Sequence, residues 1–582
     1  MGSTGGHGGS GSHHSQGASP FDMPHARAIP LGINRAGSTQ AVGSLIESLL
    51  ALRTTVSGTL AGGGAIAPTP LIAAVDQGTQ STRVYLFNQN QQPVASHQVD
   101  LPQIHPQPGW NEHDPYEIWK GVEECMVVAL GAAQEAIGPV EVKAVGITNQ
   151  RETTLVWHRT TGQPLFNAIV WNDTRTADIC NTLEAELSGG PDHFRAKTGL
   201  PISTYFSAYK FKWMYDNVDD VTRAVDAGDA CFGTVDSWLI YMLTGGAHSG
   251  GVHVTDVSNA SRTGLMDLAT CAWDPEIMAV FGVTPECLPR IVSNAEVYGT
   301  VSAGPYEGVP ISGSIGDQHA AMLGQRCVKG EAKNTYGTGA FLLLNTGDHV
   351  VPSSHGLVTT VAYRLGKAAA VQYALEGSIA VAGRGVTWLV ENLGIASDPK
   401  ELEELAKSVD TTSGVYFVPA FSGLMAPRWD SSARGALLGL TGYTTKAHIA
   451  RAMLDAICFQ TREVLDAMQV DAQAAGLSKI KTLRVDGGAS QNDLLMQTQA
   501  DVLQCLVRRP QFQETTALGA ALAAGIGIGM WTEEEVLLSH AYGSTDFRPN
   551  IGPKRAAERF GKWNRAVERS VQLADLEDER DA

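Results

Sequence analysis

The 582-residue chain contains no apolar run of the roughly 20 residues that a membrane span requires. The nearest candidate, residues 41–67, is broken by Glu47, Arg53 and several Gly and Thr. Its first 20 residues are dominated by Gly, Ser and His, so no secretory signal is expected. Positive charge is scarce. There are 42 Lys and Arg against 60 Asp and Glu, a net charge of −18, which argues against nucleic acid as a partner. A few local donors can still hold a small phosphorylated ligand in such a chain. The 8 cysteines form no CxxC pair and none lies beside a His at zinc-ligand spacing. They read as reduced, mostly buried thiols of a cytoplasmic protein. No GxxxxGK[ST], GxSxG or HExxH occurs, which removes the P-loop, the hydrolase elbow and the zinc protease motif. "GIGIGM", residues 525–530, follows the helical run "ALGAALAA" rather than a strand, so it reads as helix packing and not as a dinucleotide loop.

What is present is a globular composition, 43% apolar and 18% charged, in a chain long enough for roughly two to four domains. Residues 1–70 read as a disordered extension rich in Gly, Ser, His and Pro. Within it "STQAVGSLIESLLALRTTVSG" is a candidate amphipathic helix that Ser38 or Thr39 could cap, and a transit peptide is a further reading. From Leu71 onward short apolar strands alternate with helices, the pattern of an α/β protein. "HDPYEIWKGVEECMVVALGAAQEAIG" predicts a helix with Asp114 at its N-cap, Pro115 at N1, Glu117 at N3 and Gly138 as its stop. Residues 445–476 predict a long helix, with apolar positions at Ile449, Met453, Ile457, Val464 and Met468. "VDQGTQSTRVYLFN" and "NTYGTGAFLLLNTG" share one plan: strand, polar glycine turn, strand. This echo predicts two similarly built domains.

Four polar turns stand at the ends of apolar strands, where ligands of open α/β sheets bind. In the first, Gly78 allows a tight turn, Thr79, Gln80 and Ser81 add donors, and Arg83 adds a fixed charge, a set suited to phosphate oxygens. Asp76, at the strand end, suits a hydrated Mg²⁺. In the second, "GSIGDQHAAMLG", Asp317 is a candidate general base or else a helix cap. In the third, "GITNQRETTLVW", Arg151 and Glu152 offer forked donors and paired acceptors to neighbouring hydroxyls of a polyol, or form a solvated turn. In the fourth, "RVDGGASQN", Gly487 and Gly488 permit close approach of a flat ligand, and Asn492 opens the next helix.

Taken together and in order, these segments resemble the FGGY carbohydrate kinases. The resemblance also covers "QPGWNEHDPYEIW", "GLPISTYFSAYKFKW", "HVTDVSNASRT", "ALEGSIAVAG", "PAFSGLMAPRWDSSARG" and "ETTALGAALAAG", and spans about residues 71–530. It implies an α/β protein of two actin-like ATPase (ribonuclease H-like) domains with an interdomain catalytic cleft. The implied division is 71–325 for the glycerol and phosphate side and 326–570 for the nucleotide side, followed by an acidic tail, 571–582. "GITNQRETT" and "SGLMAPRWD" are similar to the members that phosphorylate glycerol with ATP and Mg²⁺, giving sn-glycerol 3-phosphate. By that resemblance Arg151, Glu152, Tyr205, Asp317 and Gln318 bind glycerol, Trp171 and Phe341 form an apolar wall, and Asp317 takes the hydroxyl proton. Thr79, Gln80, Ser81, Arg83 and Thr338 face the phosphates. Gly383, Thr387, Gly488 and Asn492 lie along the rest of the nucleotide, and Asp76 organises Mg²⁺. Domain closure is implied as the means of excluding water, and a homo-oligomer as the family tendency. Two other readings stay open: another polyol or ketose as substrate, and a non-catalytic ATP-binding protein. The chain departs from the pattern at Gln80, where a hydroxyl residue is usual, and at Thr387, where a longer Gln or Arg is usual. It also lacks the GGTR-type loop that binds fructose 1,6-bisphosphate in some members.

Overall fold

A computed structural model describes residues 67–539 and 542–574. The candidate helix of the N-terminal extension and most of the acidic tail lie outside the described residues. The first sheet uses strands β1 (Thr69–Gln77), β2 (Ser81–Asn88), β3 (Pro93–Asp100), β4 (Val140–Asn149), β5 (Ala295–Thr300) and β6 (Pro310–Gly316), in the order β5-β6-β4-β1-β2-β3. β1 thus starts two residues before the expected Leu71. The second sheet uses β7 (Ala332–Tyr336), β8 (Ala340–Gly347), β9 (Val358–Tyr363), β10 (Gln372–Ile379), β11 (Thr482–Asp486), β12 (Leu506–Pro510) and β13 (Ser544–Phe547), in the order β9-β10-β8-β7-β11-β12-β13.

The two sheets share one topology. In each, an antiparallel three-strand meander (β3-β2-β1, then β10-β8-β7) is extended by two parallel strands (β4-β6, then β11-β12). The expected doubling is therefore real, and both polar glycine turns occupy the same place, between the first two strands of their sheets. This is the α/β architecture that the resemblance implies.

Helices cover the sheets: α1 (Pro115–Ile137), α2 (Asp317–Gly324), α3 (Gly383–Glu391), α4 (Lys446–Ala474), α5 (Asp493–Leu503) and α6 (Thr515–Gly527). α1 forms as its sequence predicts, with Asp114 accepting from Tyr116 N and Gly138 closing the helix at φ 81°. Residues 150–294, between β4 and β5, fold into smaller elements, and three of their strands complete a four-stranded sheet with Glu112–His113, in which residues 154–158 pair with 230–234. Among the described residues no helix is long and apolar enough to cross a membrane. All eight cysteines are free thiols, seven buried and Cys271 partly so.

The two halves meet through α6, which is apolar all round and buried from Ala517 to Gly525. It follows β12 of the second sheet in sequence, yet crosses α2 and lies against β4 and β6 of the first sheet. Missing β-carbons make this approach possible. A β-carbon on Gly519 would sit 1.9 Å from Ala320 O, one on Gly324 2.0 Å from Thr515 O, and one on Gly146 2.1 Å from Ala520 O. The crossing of α2 and α6 is thus fixed at backbone contact, and it sets the position of Asp317 at the start of α2.

Gly131 provides an internal contrast, since it is exposed in the middle of α1 with nothing near a β-carbon. Gly519→Ala is expected to lower stability by about 1–3 kcal/mol through overpacking. Gly131→Ala is expected to raise it by about 0.5–1 kcal/mol through helix propensity. Thermal or denaturant unfolding of the two variants beside the parent reads both signs.

Candidate active site

The first turn is a tight one. Gly78 N donates to Ser81 O at 2.9 Å, and Asp76 stands opposite Arg83 in the β1–β2 register. Thr79 is anchored on two sides: its carbonyl accepts from Gln103 Nε2 at 2.7 Å and its hydroxyl from Trp171 Nε1 at 2.9 Å. Ser81 is buried and Gln80 is exposed. Arg83 already has partners, binding Glu514 Oε2 at 3.1 Å and Gln98 Oε1 at 2.7 Å. Asp76 is 7% exposed. Burial pushes its pKa up to about 7, with Arg83 opposing and Glu514 and Asp317 adding to the rise.

The second turn carries Thr338, exposed, on the β7–β8 hairpin. Its carbonyl accepts from Ala382 N at 3.0 Å and Arg384 N at 2.9 Å, which seats the start of α3 on the turn. Gly383 permits that seat, because a β-carbon there would lie 2.6 Å from Gly337 O. Thr387 follows one turn later on α3. Gly487 takes φ +84° with its α-carbon against the backbone of Tyr336, so its freedom serves packing. Gly488 is open, with nothing within 4 Å of a β-carbon. Asn492 caps α5 by accepting from Leu495 N at 2.8 Å.

Between the turns lies a buried ion network. Arg151, just beyond β4, donates to both oxygens of Glu376 on β10, at 2.7 and 2.9 Å, and its Nε lies 3.1 Å from Asp317 Oδ1. Glu152 accepts from Arg262 Nε at 2.6 Å, and Arg262 Nη2 lies 3.3 Å from Glu376 Oε1. Arg151 is 3% and Glu152 1% exposed, so the solvated-turn reading of this segment fails. Burial alone would raise the Glu376 carboxyl, but Arg151 and then Arg262 hold it well below the usual carboxylate range. Glu152 sits at φ 60°, a left-handed backbone that L side chains rarely adopt.

Asp317 is the first residue of α2 and does not cap the helix in the usual way. Its carboxyl accepts from the adjacent Gln318 N at 2.7 Å, and its side chain keeps 30% exposure. Burial raises its pKa, and Arg151 opposes the rise. Gln318 accepts from Lys333 Nζ on β7, and burial lowers that lysine to about 8. The rings of Trp171 and Tyr205 lie 5.5 Å apart, and Phe341 on β8 stands 6.2 Å from Trp171. An apolar wall therefore runs from the 150–294 segment to the second sheet, with Tyr205 against Arg262 of the ion network.

The structure thus gathers Arg151, Glu152, Trp171, Tyr205, Asp317, Gln318 and Phe341 around Arg262 and Glu376. Trp171 links this group to Thr79 in the first turn. Sequence reasoning assigned no role to Arg262, Glu376, Lys333 or His319. His319 follows Asp317 on α2 and has two buried ring nitrogens without a hydrogen bond. Glu376 did carry a signal: a lone carboxylate inside the apolar strand "YALEGSI" must find a buried cation.

The comparisons with known proteins agree with this geometry. Residues 71–324 match the N-terminal domain of the FGGY family of carbohydrate kinases, and residues 332–528 its C-terminal domain. A glycerol kinase of Arabidopsis thaliana is 54% identical over 514 residues, covering 87% of this chain and 98% of that protein. A glycerol kinase of Nocardia farcinica is 52% identical over 503 residues, covering 86% of this chain and 98% of that protein. A crystal structure of Plasmodium falciparum glycerol kinase with ADP superposes with a TM-score of 0.81 at 39% identity, covering 87% of this chain and 99% of that one. A gluconate kinase from Lactobacillus acidophilus, at 22% identity and a TM-score of 0.76, shares the fold, with 88% of this chain and 100% of that one covered. With both halves matched and the doubled sheet topology in place, the chain belongs to the FGGY family of carbohydrate kinases.

Proposed function

We propose that the chain is a glycerol kinase, which transfers the γ-phosphoryl group of ATP to a terminal hydroxyl of glycerol, giving sn-glycerol 3-phosphate and ADP. The observation that carries this reading is the buried Arg151–Glu376–Arg262–Glu152 network with Asp317 open at its edge. The identity of more than half with glycerol kinases over most of their length supports it.

In this reading Asp317 removes the proton from the attacking hydroxyl. A base needs a free carboxylate face and a raised proton affinity, and Asp317 has both. Arg151 holds that carboxylate through Nε and, with Glu152, Tyr205 and Gln318, binds the hydroxyls. Trp171 and Phe341 pack against the carbons. Thr79, Gln80, Ser81 and Thr338 face the phosphates from the two hairpin turns. Arg83 joins them by exchanging one anion, Glu514, for another. Gly383, Thr387, Gly488 and Asn492 run along the remainder of the nucleotide. In-line transfer then relies on positioning and charge stabilisation more than on covalent chemistry.

The residues present also suit a magnesium ion. Asp76 is a buried carboxylate whose proton is held to about pH 7 for lack of a sufficient counter-charge. Among the described residues no three acidic, His or Cys side chains cluster as a metal cage. Asp76 would hold the ion on the protein side, a carboxylate oxygen being the kind of ligand magnesium takes. When bound, the ion neutralises charge on the phosphates during transfer.

Glycerol-dependent release of ADP from Mg-ATP, ranked by kcat/KM against a panel of polyols and ketoses, tests the assignment. Glycerol is expected to lead, and no turnover with it would overturn the reading. Asp317→Asn is expected to lower kcat by about 10²–10⁴-fold while glycerol still binds; near-normal kcat would remove Asp317 as the base. The base acts only when ionised, so kcat falls as pH drops through its folded pKa. Because burial raises that pKa, the acid limb is expected above the ordinary aspartate value of 3.8. A pH–kcat profile locates it.

A further inference from the structure

Helix α2 has Asp317 at its first residue and ends at Gly324, about 12 Å away along the axis. Beyond its far end lies a second concavity, a cavity of about 140 Å³ lined by Gln325, Arg326, Arg484, Arg508 and Tyr542 among others. Among the described residues no carboxylate-bearing side chain lines it. In a chain of net charge −18, three arginines converging on one small cavity call for an explanation.

Arg326 occupies an unfavourable backbone. Its φ is 55°, in the left-handed region where glycine is the default residue after a helix. Arg326 N donates to Leu323 O at 2.9 Å and Cys327 N to Met322 O at 3.0 Å, so this conformation is what terminates α2. An arginine is kept there although glycine would hold the same backbone without steric cost. Its guanidinium donates only to neutral acceptors: Val536 O at 3.0 Å, Gly324 O at 3.3 Å and Gln91 Oε1 at 2.6 Å. Among the described residues no carboxylate pairs with it. Burial, with Arg484 nearby, lowers its pKa, the mark of a cation short of counter-charge.

The other two arginines are half-committed. Arg484 holds Glu331 through Nε and Nη2 at 3.0 and 3.3 Å, and Arg508 holds Asp546 through the same two atoms at 2.8 and 2.9 Å. Among the described residues Nη1 of each makes no hydrogen bond. Three guanidiniums less these two carboxylates leave one positive charge. Gln325 is 4% exposed, and among the described residues neither atom of its side-chain amide has a hydrogen-bond partner. A buried amide without partners is destabilising unless something else satisfies it.

We propose that this cavity is a binding site for a phosphate-type oxyanion, either inorganic phosphate or the phosphate group of a monoester. Guanidinium N–H groups from three directions match a tetrahedral anion. Arg326 stands at the end of α2 and reaches Gln91 in the turn after β2, whereas Arg484 and Arg508 project from β11 and β12. An anion held among them fastens the first sheet to the second at the end of α2 remote from Asp317. The site is separate from both hairpin turns.

The test uses the full chain with glycerol and a non-hydrolysable ATP analogue present, so that the proposed active site is filled. Inorganic phosphate and sn-glycerol 3-phosphate are titrated separately by calorimetry, against chloride at matched ionic strength. At least one is expected to bind, and the pattern distinguishes the free ion from the ester. Arg326→Gly relieves the left-handed backbone and keeps the fold, and Arg508→Gln changes a partly exposed side chain. Each is expected to weaken the anion by at least about tenfold while kcat for glycerol phosphorylation stays as in the parent. Absence of binding by both anions, or binding undiminished in either variant, would overturn the proposal.

Discussion

The two-pronged hydrogen bond between Arg151 and Glu376 is the interaction on which the site depends. Arg151 leaves the end of β4 in the first sheet and Glu376 comes from the middle of β10 in the second. Both are almost fully buried, so neither charge is tolerable alone. Their pairing makes the relation of the two sheets a condition for satisfying buried charge. Arg262 and Glu152 extend the same logic. The network balances two cations with two anions and leaves Asp317 attached at its rim, through Arg151 Nε. A carboxylate that touches the network but keeps an open face can accept a proton, whereas Glu376, gripped by Arg151 and Arg262, is held well below the usual carboxylate range.

The crossing of α2 and α6 complements this electrostatic tie with a steric one. Gly324 and Gly519 allow backbone contact, so Asp317 is carried on a helix with little freedom to shift. Asp76, by contrast, is buried near Asp317, and among the described residues no cation hydrogen-bonds to it. The site therefore contains one carboxylate held by a fixed arginine and another whose proton affinity burial raises. That asymmetry suits a reaction joining a neutral polyol to a highly charged phosphate donor.

Much of the architecture was legible in the sequence because it is local. The caps Asp114 and Gly138, the glycine turns at Gly78 and Gly337, and the strand-to-helix step at Asp317 are each written within a few residues. The repeated strand–turn–strand plan announced the doubled topology. Charge pairing was not legible, because its partners are fixed by tertiary closure. Glu376 lies 225 residues from Arg151, and Glu514 lies 431 residues from Arg83. A reading of Arg83 from its own turn sees an unoccupied cation, and only the folded chain shows the carboxylate that neutralises it. Gly487 is a similar case: its turn is visible locally, but the Tyr336 backbone that requires it is not.

Burial is the main cause of the raised proton affinity of Asp317 and Arg151 opposes it, while Glu376 adds to the rise by offsetting part of the Arg151 charge. The pH dependence of kcat in Glu376→Gln tests this most directly. Glu376 raises the pKa of Asp317, so its neutralisation leaves Arg151 with excess positive charge and lowers that pKa. The acid limb of kcat is predicted to move to lower pH, with a fall in kcat at its plateau as the base weakens. An acid limb and plateau unchanged from the parent would contradict the account.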